Sequence, residues 1–299
     1  MQLSDRKFFI SGSSGFVGTT ILDFFGEEKF YLLKRGSEIN ITQVVAVLHF
    51  AGKAHDLKKS STSDEYYQVN TELTKKIYDA FLKSDAKVFI TLSSVKAVAD
   101  EVRGELTEKQ QPNPVTHYGK SKLLAEEYIL SKEIPKDKRV YILRPCMIHG
   151  PGNKGNLNLL YKIVSNNIPW PLGAFENKRS FCSIDNLMFV IKELILREDI
   201  PSGIYNIADD EPLSTNELVS LIAKSQNRKP NVWLLSEGFI KSLAQFGDKL
   251  YLPLNSERLQ KLTDSYVVSN KKIKKALKIK KFPISARDGL LKTIKSFVK

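Results

Sequence analysis

The chain has 299 residues, of which 42% are hydrophobic and 26% charged, as in folded globular proteins. Two cysteines are too few for a disulfide framework or for a zinc site made mainly of thiolates. No uncharged run reaches the roughly 18 apolar residues of a membrane span, and the first apolar run lies too close to Met1 for a signal peptide. We therefore expect a cytoplasmic protein without a membrane span.

Positive charge is concentrated at the end of the chain. Lysine and arginine exceed aspartate and glutamate by 46 − 33 = +13, and residues 271–299 hold 11 − 1 = +10 of this. No aromatic side chains are interleaved as platforms for bases, so we expect no nucleic-acid partner. We expect lysine-rich solvent faces of two helices, with steering of an anionic substrate as the alternative. The buried side of these helices would consist of Ile273, Leu277, Leu290, Ile294 and Phe297.

Strand and helix patterns alternate through the first half of the chain. This order predicts an α/β fold with a parallel, doubly wound sheet. The apolar side of the longest predicted helix comprises Tyr66, Val69, Leu73, Ile77 and Phe81. The predicted elements are strands at Lys7–Ser11, Phe30–Leu33, Val44–Phe50, Val88–Leu92 and Val140–Leu143 and helices at Phe16–Phe25, Glu65–Lys83 and Ser121–Leu130.

The composition of the sequence changes near residue 150, where glycine, asparagine and proline cluster and predicted strands become scarce. We expect a first domain over 1–150 with a returning segment at about 180–207. A smaller, mixed α/β C-terminal substrate domain would comprise 151–179 and 208–299. Two further strand patterns, Phe181–Ile184 and Ile204–Ile207, belong to the returning segment.

A glycine-rich segment directly follows the first predicted strand and opens the first predicted helix. Gly12, Gly15 and Gly18 have the spacing G-x-x-G-x-x-G. Glycine allows a tight turn and lets the backbone approach a pyrophosphate at a helix N-terminus. The segment therefore predicts a dinucleotide-binding turn, and the first domain is expected to be the dinucleotide-binding one.

The residues after the second predicted strand bear on the choice of cofactor. Lys34 and Arg35 stand where an acidic residue would bind the 2′-hydroxyl of the adenosine ribose. A carboxylate repels a 2′-phosphate, whereas a guanidinium binds it. We therefore expect NADP, with NAD as the alternative; the other interpretation is that both residues belong to an ordinary surface loop.

A tyrosine, a lysine and a serine suggest proton-transfer chemistry. Tyr118 and Lys122 form Y-x-x-x-K, which on a helix places them one turn apart. A lysine cation lowers the pKa of a nearby phenol, which could then exchange a proton with a carbonyl or carbinol group. Ser93 and Ser94 end a predicted strand at the edge of the sheet where ligands bind.

Taken together, these motifs resemble the extended short-chain dehydrogenase/reductase family, specifically its nucleotide-sugar epimerases, dehydratases and ketoreductases. The resemblance covers nearly the whole chain and implies a Rossmann-type sheet, a dimer as a possible assembly and a nucleotide diphosphate sugar as substrate. The register favours Ser94 over Ser93 as the catalytic hydroxyl. The matching segments are GSSGFVG at 12–18, HFAG at 49–52, YQVNT at 67–71, TLSS at 91–94, YGKSK at 118–122, RPCMIHGPG at 144–152 and RSFCSID at 179–185.

The resemblance and the motifs together give the candidate site. Catalytic roles fall to Ser94, Tyr118 and Lys122. Substrate contacts are expected from Ser94, Met147, Asn156, Arg179 and Arg258. Cofactor contacts are expected from Gly12, Ser14, Gly15, Phe16, Val17, Gly18, Lys34, Arg35, Phe50, Ala51, Gly52, Asn70, Tyr118 and Lys122.

Three departures from the family pattern affect the expected reaction and cofactor pocket. Only 31 residues separate Gly18 from His49, so one helix and strand are expected to be reduced to Glu38–Thr42, which would leave the adenine pocket open. Val95-Lys96 replaces the Asp-Glu pair of the family's 4,6-dehydratases, which disfavours elimination of water. Met147 stands where galactose-type 4-epimerases have an asparagine, and a thioether cannot replace its hydrogen bond.

Other polar residues add little to the site. The four histidines lack metal-ligand spacing, so no metal is expected. Cys146 and Cys182 are predicted to be small buried residues. Lys154, beside Asn156, is a further candidate for a phosphate or uracil contact.

We expect an NAD(P)-dependent oxidoreductase that reduces a 4-keto-6-deoxy sugar nucleotide. Hydride would come from the nicotinamide, Tyr118 would protonate the alkoxide, Lys122 would hold the nicotinamide ribose and lower the pKa of Tyr118, and Ser94 would orient the carbonyl. The alternative is a nucleotide-sugar 4-epimerase that uses the same residues, of the UDP-hexose or UDP-N-acetylhexosamine type. A non-catalytic nucleotide-binding protein is a third hypothesis, since a fold does not determine a function.

Overall fold

The computed structural model describes residues 7–53, 62–153, 155–250 and 255–297. Within these ranges the strands are β1 (Phe8–Ser11), β2 (Phe30–Leu33), β3 (Ala46–His49), β4 (Val88–Leu92), β5 (Glu105–Leu106), β6 (Arg139–Pro145), β7 (Met147–His149), β8 (Phe181–Ser183), β9 (Gly203–Ile207) and β10 (Val267–Val268). The α-helices are α1 (Phe16–Phe25), α2 (Ser63–Tyr66), α3 (Leu73–Lys83), α4 (His117–Leu130), α5 (Asn156–Ser165), α6 (Ile184–Leu196), α7 (Thr215–Ser225), α8 (Glu237–Lys249), α9 (Ser256–Thr263), α10 (Lys271–Leu277) and α11 (Ala286–Lys295). Short 3-10 helices lie at Glu27–Lys29 and Val95–Ala97, and a π-helix at Tyr67–Glu72 joins α2 to α3.

A six-stranded parallel sheet forms the centre of the fold, with the strand order β2-β1-β3-β4-β6-β9. Each of these strands is paired in parallel with its neighbours. The α/β fold with a Rossmann-type parallel sheet is therefore confirmed. Because parallel strands end together, the residues that follow β1, β3 and β4 meet at one edge of the sheet.

The sheet is buried on both faces, as expected for a doubly wound architecture. Successive side chains of a strand point to opposite faces. Phe8 and Ile10 of β1 therefore belong to the core on one side, where Phe8 packs against Phe25 of α1 with ring centroids 5.6 Å apart. Phe9 belongs to the core on the other side, with Tyr78 and Phe81 of α3.

The connection between β2 and β3 is shorter than a complete strand–helix unit. The sequence predicts a remnant helix and strand at Glu38–Thr42, but residues 34–45 contain neither. Ile41 and Val44 instead pack into the core beside β1 and β3, which fixes the connection without a regular element. β2 is consequently the last strand on this side of the described sheet.

The second half of the chain returns to the sheet once. The predicted strand at Ile204–Ile207 is β9, which pairs with β6. The predicted strand at Phe181–Ile184 is β8, which among the described residues pairs with β7 outside the main sheet. Helices α5, α7 and α8 contribute to a separate apolar cluster around Trp170. The division into two domains near residue 150 stays a prediction.

The lysine-rich end of the chain forms α10 and α11. The predicted apolar side is buried at Ile273, Leu277, Leu290 and Ile294 and partly buried at Phe297. Several lysines make ion pairs with the rest of the fold, at 2.6 to 2.8 Å: Lys274 with Asp210, Lys278 with Asp199 and Lys292 with Asp185. In the described part of the chain, no helix is both long and apolar enough to cross a membrane.

Candidate active site

The turn between β1 and α1 brings the backbone close to the end of β3. Gly12 has a φ of +79°, and a Cβ atom there would lie 2.3 Å from the backbone nitrogen of Ala51. A Cβ on Gly18 would lie 2.1 Å from the Gly12 carbonyl oxygen. Glycine is therefore required at both positions.

Helix α1 begins at this turn without a side-chain cap. Gly15 is its N-cap residue, and Gly15 N–H donates to the Gly12 carbonyl at 3.1 Å. The free N–H groups of a first helical turn attract an anion such as a phosphate. Ser14 is exposed beside this turn, Phe16 is partly buried and Val17 is buried. The arrangement suits the predicted dinucleotide pyrophosphate.

Lys34 and Arg35 are exposed immediately after β2. Leu33 is in register with Ser11, so the two cations follow β2 at the level where the glycine turn follows β1. This placement is compatible with contacts to the adenosine half of a dinucleotide.

Ser94, Tyr118 and Lys122 converge on one pocket at the end of the sheet. Helix α4 begins at His117, earlier than predicted, and Thr116 caps it by accepting a hydrogen bond from Gly119 N–H at 3.2 Å. The pocket is open to solvent and has a volume of about 250 Å³. Its lining also includes Phe50, Gly52, Lys53, Leu92, Ser93, Pro145, Cys146 and Ile148.

The phenol of Tyr118 lies within hydrogen-bonding reach of Ser94, which places Ser94 rather than Ser93 beside it. Burial raises the pKa of Tyr118, and the hydrogen bond from Ser94 opposes this rise. The expectation that Lys122 lowers the pKa of Tyr118 is therefore not met. The Lys122 ammonium instead donates to the Leu92 carbonyl at 2.8 Å, and the desolvation of the phenol dominates.

The buried position of Lys122 changes the pKa of its ammonium group. Its side chain is buried, and desolvation lowers its pKa to about 8, although the nearby Glu126 carboxylate partly opposes the shift. A Cβ on Gly52 would lie 2.9 Å from Lys122 Nζ, so the glycine leaves room for the ammonium group. Lys122 thus places a titratable cation against the floor of the pocket.

The π-helix rotates the buried face of the helix that packs on α4. The sequence predicts Val69 and Leu73 on this face, but both are only partly buried, whereas Asn70 and Thr74 are fully buried. A π-helical turn inserts an extra residue and so shifts the face that follows, and such insertions often occur at functional sites. The insertion brings the Asn70 amide to the site.

Asn70 connects three segments of the pocket wall. Its Oδ1 accepts a hydrogen bond from Lys53 N–H at 2.8 Å, and its Nδ2 donates to the Lys53 carbonyl at 3.1 Å and to Ser121 Oγ at 3.0 Å. Ser121 in turn donates to the Tyr118 carbonyl at 2.8 Å. Asn70 therefore fixes the loop after β3 relative to the first turn of α4.

His49 at the end of β3 is fully enclosed, and burial lowers its pKa to about 3. Thr74 donates its hydroxyl proton to the Asn70 carbonyl at 2.7 Å, so His49 Nε2 must be the donor to Thr74 Oγ1 at 2.7 Å. His49 Nδ1 then accepts from Ser11 Oγ at 2.6 Å. The neutral imidazole therefore connects β1, β3 and α3.

A buried ion pair supports the site from behind, and the sequence analysis missed its role. Glu126 lies one turn after Lys122, and Arg144 Nε donates to its two carboxylate oxygens at 2.9 and 3.1 Å. Ser93 donates a short hydrogen bond to the same carboxylate. The sequence contained a signal for this ion pair. Glu126 stands four residues after the candidate Lys122, and Arg144 stands at the end of a buried strand.

The predicted substrate residues are dispersed in this structure. Met147 is 38% exposed and does not line the pocket, because side chains alternate along β7 and its neighbours face inward. Arg179 donates from Nε to the Asp264 carbonyl at 3.0 Å and also bonds the Lys261 carbonyl, at the end of α9. Arg258 is exposed near the start of α9. Asn156 is the first residue of α5, and Lys154 lies outside the described residues.

The residues present fit a nicotinamide dinucleotide. The glycine turn offers uncapped N–H groups for a diphosphate, and the pocket beside it holds a phenol, a hydroxyl and an ammonium group. No cluster of three or more potential metal-binding side chains occurs among the described residues.

Comparison with known proteins agrees with this arrangement. The model of the family described as "NAD dependent epimerase/dehydratase family" matches residues 8–208. A UDP-glucose 4-epimerase of Vibrio cholerae is 29% identical over 255 residues, which cover 75% of this chain and 78% of that protein. An N-acetyl-α-D-glucosaminyl-diphospho-ditrans,octacis-undecaprenol 4-epimerase of Escherichia coli O157:H7 is 30% identical over 241 residues, which cover 73% and 72%.

A reductase is also among the relatives. The GDP-6-deoxy-D-mannose reductase of Pseudomonas aeruginosa is 22% identical over 244 residues, which cover 73% of this chain and 79% of that enzyme. Among solved structures, a UDP-N-acetylglucosamine 4-epimerase from Bacillus cereus superposes with a TM-score of 0.73 at 18% identity. The superposition covers 99% of this chain and 100% of that one, and it supports the fold.

Proposed function

We propose that the chain, which belongs to the NAD dependent epimerase/dehydratase family of enzymes, is a 4-epimerase. Its substrate would be a sugar attached to a diphosphate. The observation that carries the proposal is the convergence of Ser94, Tyr118 and Lys122 on one pocket beside the glycine turn. The Vibrio cholerae and Escherichia coli relatives, about 30% identical over more than 240 residues, are both 4-epimerases, whereas the reductase is more distant. Epimerisation is therefore better supported than the reduction that the sequence analysis favoured.

The chain's own residues can perform the proton transfers of such a reaction. A bound nicotinamide dinucleotide supplies hydride exchange at a sugar carbon. Tyr118 is placed to exchange a proton with the sugar oxygen at that carbon, and Ser94 can donate a hydrogen bond to the same oxygen or to the phenol. Lys122, one helical turn after Tyr118, provides an ammonium group that would hold the nicotinamide ribose.

The test compares net cofactor consumption with product formation. Purified chain is incubated with UDP-glucose or UDP-N-acetylglucosamine, and the sugar nucleotides are separated by chromatography while absorbance at 340 nm is followed. A 4-epimerase interconverts the sugars without a net change at 340 nm. Stoichiometric oxidation of NADH or NADPH by a 4-keto sugar nucleotide, with no interconversion, would establish the reductase instead.

Tyr118→Phe removes the proposed proton donor. Turnover should fall by about two or more orders of magnitude, while cofactor binding stays nearly intact. Tyr128→Phe is the matched control, because it removes a phenol from the same helix that hydrogen-bonds only Asp79 among the contacts described. Equal activity of the two variants would remove Tyr118 from the mechanism.

The two cations after β2 bear on the choice between NADP and NAD. Lys34 and Arg35 favour NADP by their charge, and Arg35→Ala should then weaken NADP binding much more than NAD binding. Equal effects on the binding of the two cofactors would favour NAD.

The diphosphate of the substrate could be attached to a nucleoside or to a polyprenol, as in the two 4-epimerase relatives.

A further inference from the structure

The 3-10 helix that follows Ser94 carries a partly buried lysine, Lys96. Its backbone N–H donates to Ser94 Oγ at 3.2 Å, and Ser94 lines the pocket. The Lys96 ammonium group donates to the Asp100 carbonyl at 2.7 Å and lies 4.5 Å from the centre of the Tyr266 ring. Lys96 therefore places a positive charge on the segment that directly follows the hydroxyl of the site.

Tyr266 connects Lys96 to Arg179. Its phenol donates to the Ala99 carbonyl at 2.7 Å, which fixes the side chain against the end of the 3-10 helix. Its backbone forms a parallel bridge with Arg179 and accepts a hydrogen bond from Ser180 N–H at 2.9 Å. Burial lowers the pKa of Lys96, and the nearby Arg179 charge adds to this effect. The two cations therefore lie near each other, beside the same tyrosine.

Neither cation forms an ion pair with a carboxylate in the described part of the chain. Arg179 donates to the carbonyls of Asp264, at 3.0 Å from Nε, and of Lys261. Lys96 likewise donates to a carbonyl, that of Asp100. Burial lowers the pKa of both cationic groups, and the nearby acids offset this only in part. An anion that contacts both groups would supply the charge that the protein leaves uncompensated.

The acids closest to Lys96 are held by other donors. Asp100 and Glu101 raise its pKa through their charge, but neither carboxylate is paired with it among the contacts described. Lys261 is a third cation in these surroundings, and it has an acidic partner of its own. The partners of these three charged groups are Val115 N–H at 2.8 Å for Asp100, Gln260 Nε2 at 3.0 Å for Glu101 and the Glu257 carboxylate for Lys261.

A diphosphate is the anion whose chemistry suits this pair of cations. A guanidinium presents a planar fork of N–H donors to phosphate oxygens, and an ammonium binds phosphate as a point charge. In a sugar attached to a diphosphate, the phosphates lie one sugar ring away from the carbon that would react beside Ser94 and Tyr118. Lys96 stands two residues after Ser94 and close to Arg179, so it lies between the reacting end of such a substrate and the arginine.

We propose that Lys96 is a further substrate-binding residue, which holds the diphosphate of the substrate together with Arg179. The identity of this substrate is that of the proposed function, on which the inference rests. Both cations would contact phosphate oxygens and not the group beyond them. The same site could therefore hold a diphosphate attached to a nucleoside or to a polyprenol.

Calorimetric binding of UDP and of inorganic pyrophosphate tests the site with the full chain, in excess NADP or NAD so that the glycine turn is occupied. Lys96→Met keeps an apolar side chain against the Tyr266 ring and should weaken the binding of both probes about tenfold or more. Lys96→Arg keeps the charge and should lose less affinity than Lys96→Met. Lys178→Met is the matched control, because it removes an exposed lysine next to Arg179 in the sequence and should change affinity less than about twofold.

Steady-state kinetics distinguish binding of the diphosphate from an effect on Ser94. Lys96→Met should raise the KM for UDP-N-acetylglucosamine about tenfold or more and leave kcat within about threefold, since the diphosphate takes no part in the chemical step. A fall in kcat with an unchanged KM would show that the substitution acts through Ser94, and it would overturn the assignment. Unchanged UDP affinity of Lys96→Met, or an equal loss in Lys178→Met, would also overturn it.

Two further outcomes separate the possible anions and the two proposals. Weaker binding of UDP-glucuronate to Lys96→Met, with UDP and UDP-glucose unaffected, would assign Lys96 to a sugar carboxylate and overturn the diphosphate. If neither UDP nor pyrophosphate binds the wild-type chain, the anion site is refuted. UDP binding that depends on Lys96 without interconversion of sugars would refute the 4-epimerase and leave the site standing. Interconversion with a KM that Lys96→Met does not change would refute the site and leave the 4-epimerase standing.

Discussion

Replacing Lys122 by methionine should make the protein more stable near neutral pH while abolishing turnover. Burial lowers the pKa of Lys122 from 10.5 to about 8, so the folded protein releases this proton more easily than the unfolded chain. Below pH 8 the buried charge of Lys122 therefore lowers the free energy of unfolding, which is a cost to folding. With 1.36 kcal/mol per pKa unit, the cost is about 3 kcal/mol at pH 7.

The sign of the pH dependence distinguishes this cost from other effects of the substitution. Between pH 8 and pH 10.5 the unfolded chain binds more protons than the folded one, so the contribution of Lys122 to stability rises with pH. By pH 10 the remaining cost should be below about 1 kcal/mol. Lys122→Met loses this dependence. The difference in the free energy of unfolding between variant and wild type should thus shift by about 2–3 kcal/mol between pH 7 and pH 10.

Urea unfolding at pH 7, 8, 9 and 10 measures this difference. The shift is independent of the hydrogen bond to the Leu92 carbonyl, whose loss lowers the stability of the variant by a similar amount at each pH. Lys120→Met is the matched control, since Lys120 is exposed on the same helix and should give a difference that does not vary with pH. A constant difference for Lys122→Met would refute the description of Lys122 as a destabilised cation.

Three further substitutions and conditions test the rest of the site. Gly12→Ala should weaken cofactor binding in calorimetry at least tenfold, whereas Gly104→Ala should leave it unchanged, because both glycines have a positive φ but only Gly12 has backbone atoms in the way. Glu126→Gln should cost about 3 kcal/mol or more in urea unfolding because it leaves the Arg144 guanidinium buried without its counter-charge; a loss under about 1 kcal/mol would contradict this. Turnover should decline as the pH rises through about 8, where Lys122 loses its charge, and a profile that stays flat to pH 9.5 would contradict the role of the ammonium group.

Much of the sheet could be predicted from the sequence because its strands are buried on both faces. β2, β4 and α1 have the predicted bounds, and the other sheet strands differ by one or two residues at their ends. The pattern of apolar runs and glycine turns determines these elements locally. The end of α4 was also correct, but its start was missed by four residues since Thr116 supplies a cap that apolar periodicity does not reveal.

The sequence motifs identify candidate residues for the site, but they do not contain its geometry. The motifs bring Ser94, Tyr118 and Lys122 together as expected, but their pKa values depend on burial, which a linear spacing does not contain. The rotated face around Asn70 depends on one inserted residue in a helical turn, and a regular period of 3.6 residues cannot anticipate it. Met147 lies outside the pocket for a related reason, because the direction of each side chain in a three-residue strand depends on the strand's pairing.

The neutral imidazole of His49 has a consequence for how this enzyme can be studied. With a pKa of about 3, its ring keeps a single protonation state throughout the range in which most proteins stay folded. Acidification to pH 5 therefore leaves the link between Ser11 and Thr74 intact. An inflection of a rate profile in that range would therefore not come from His49, although its ring lies beside the residues of the site.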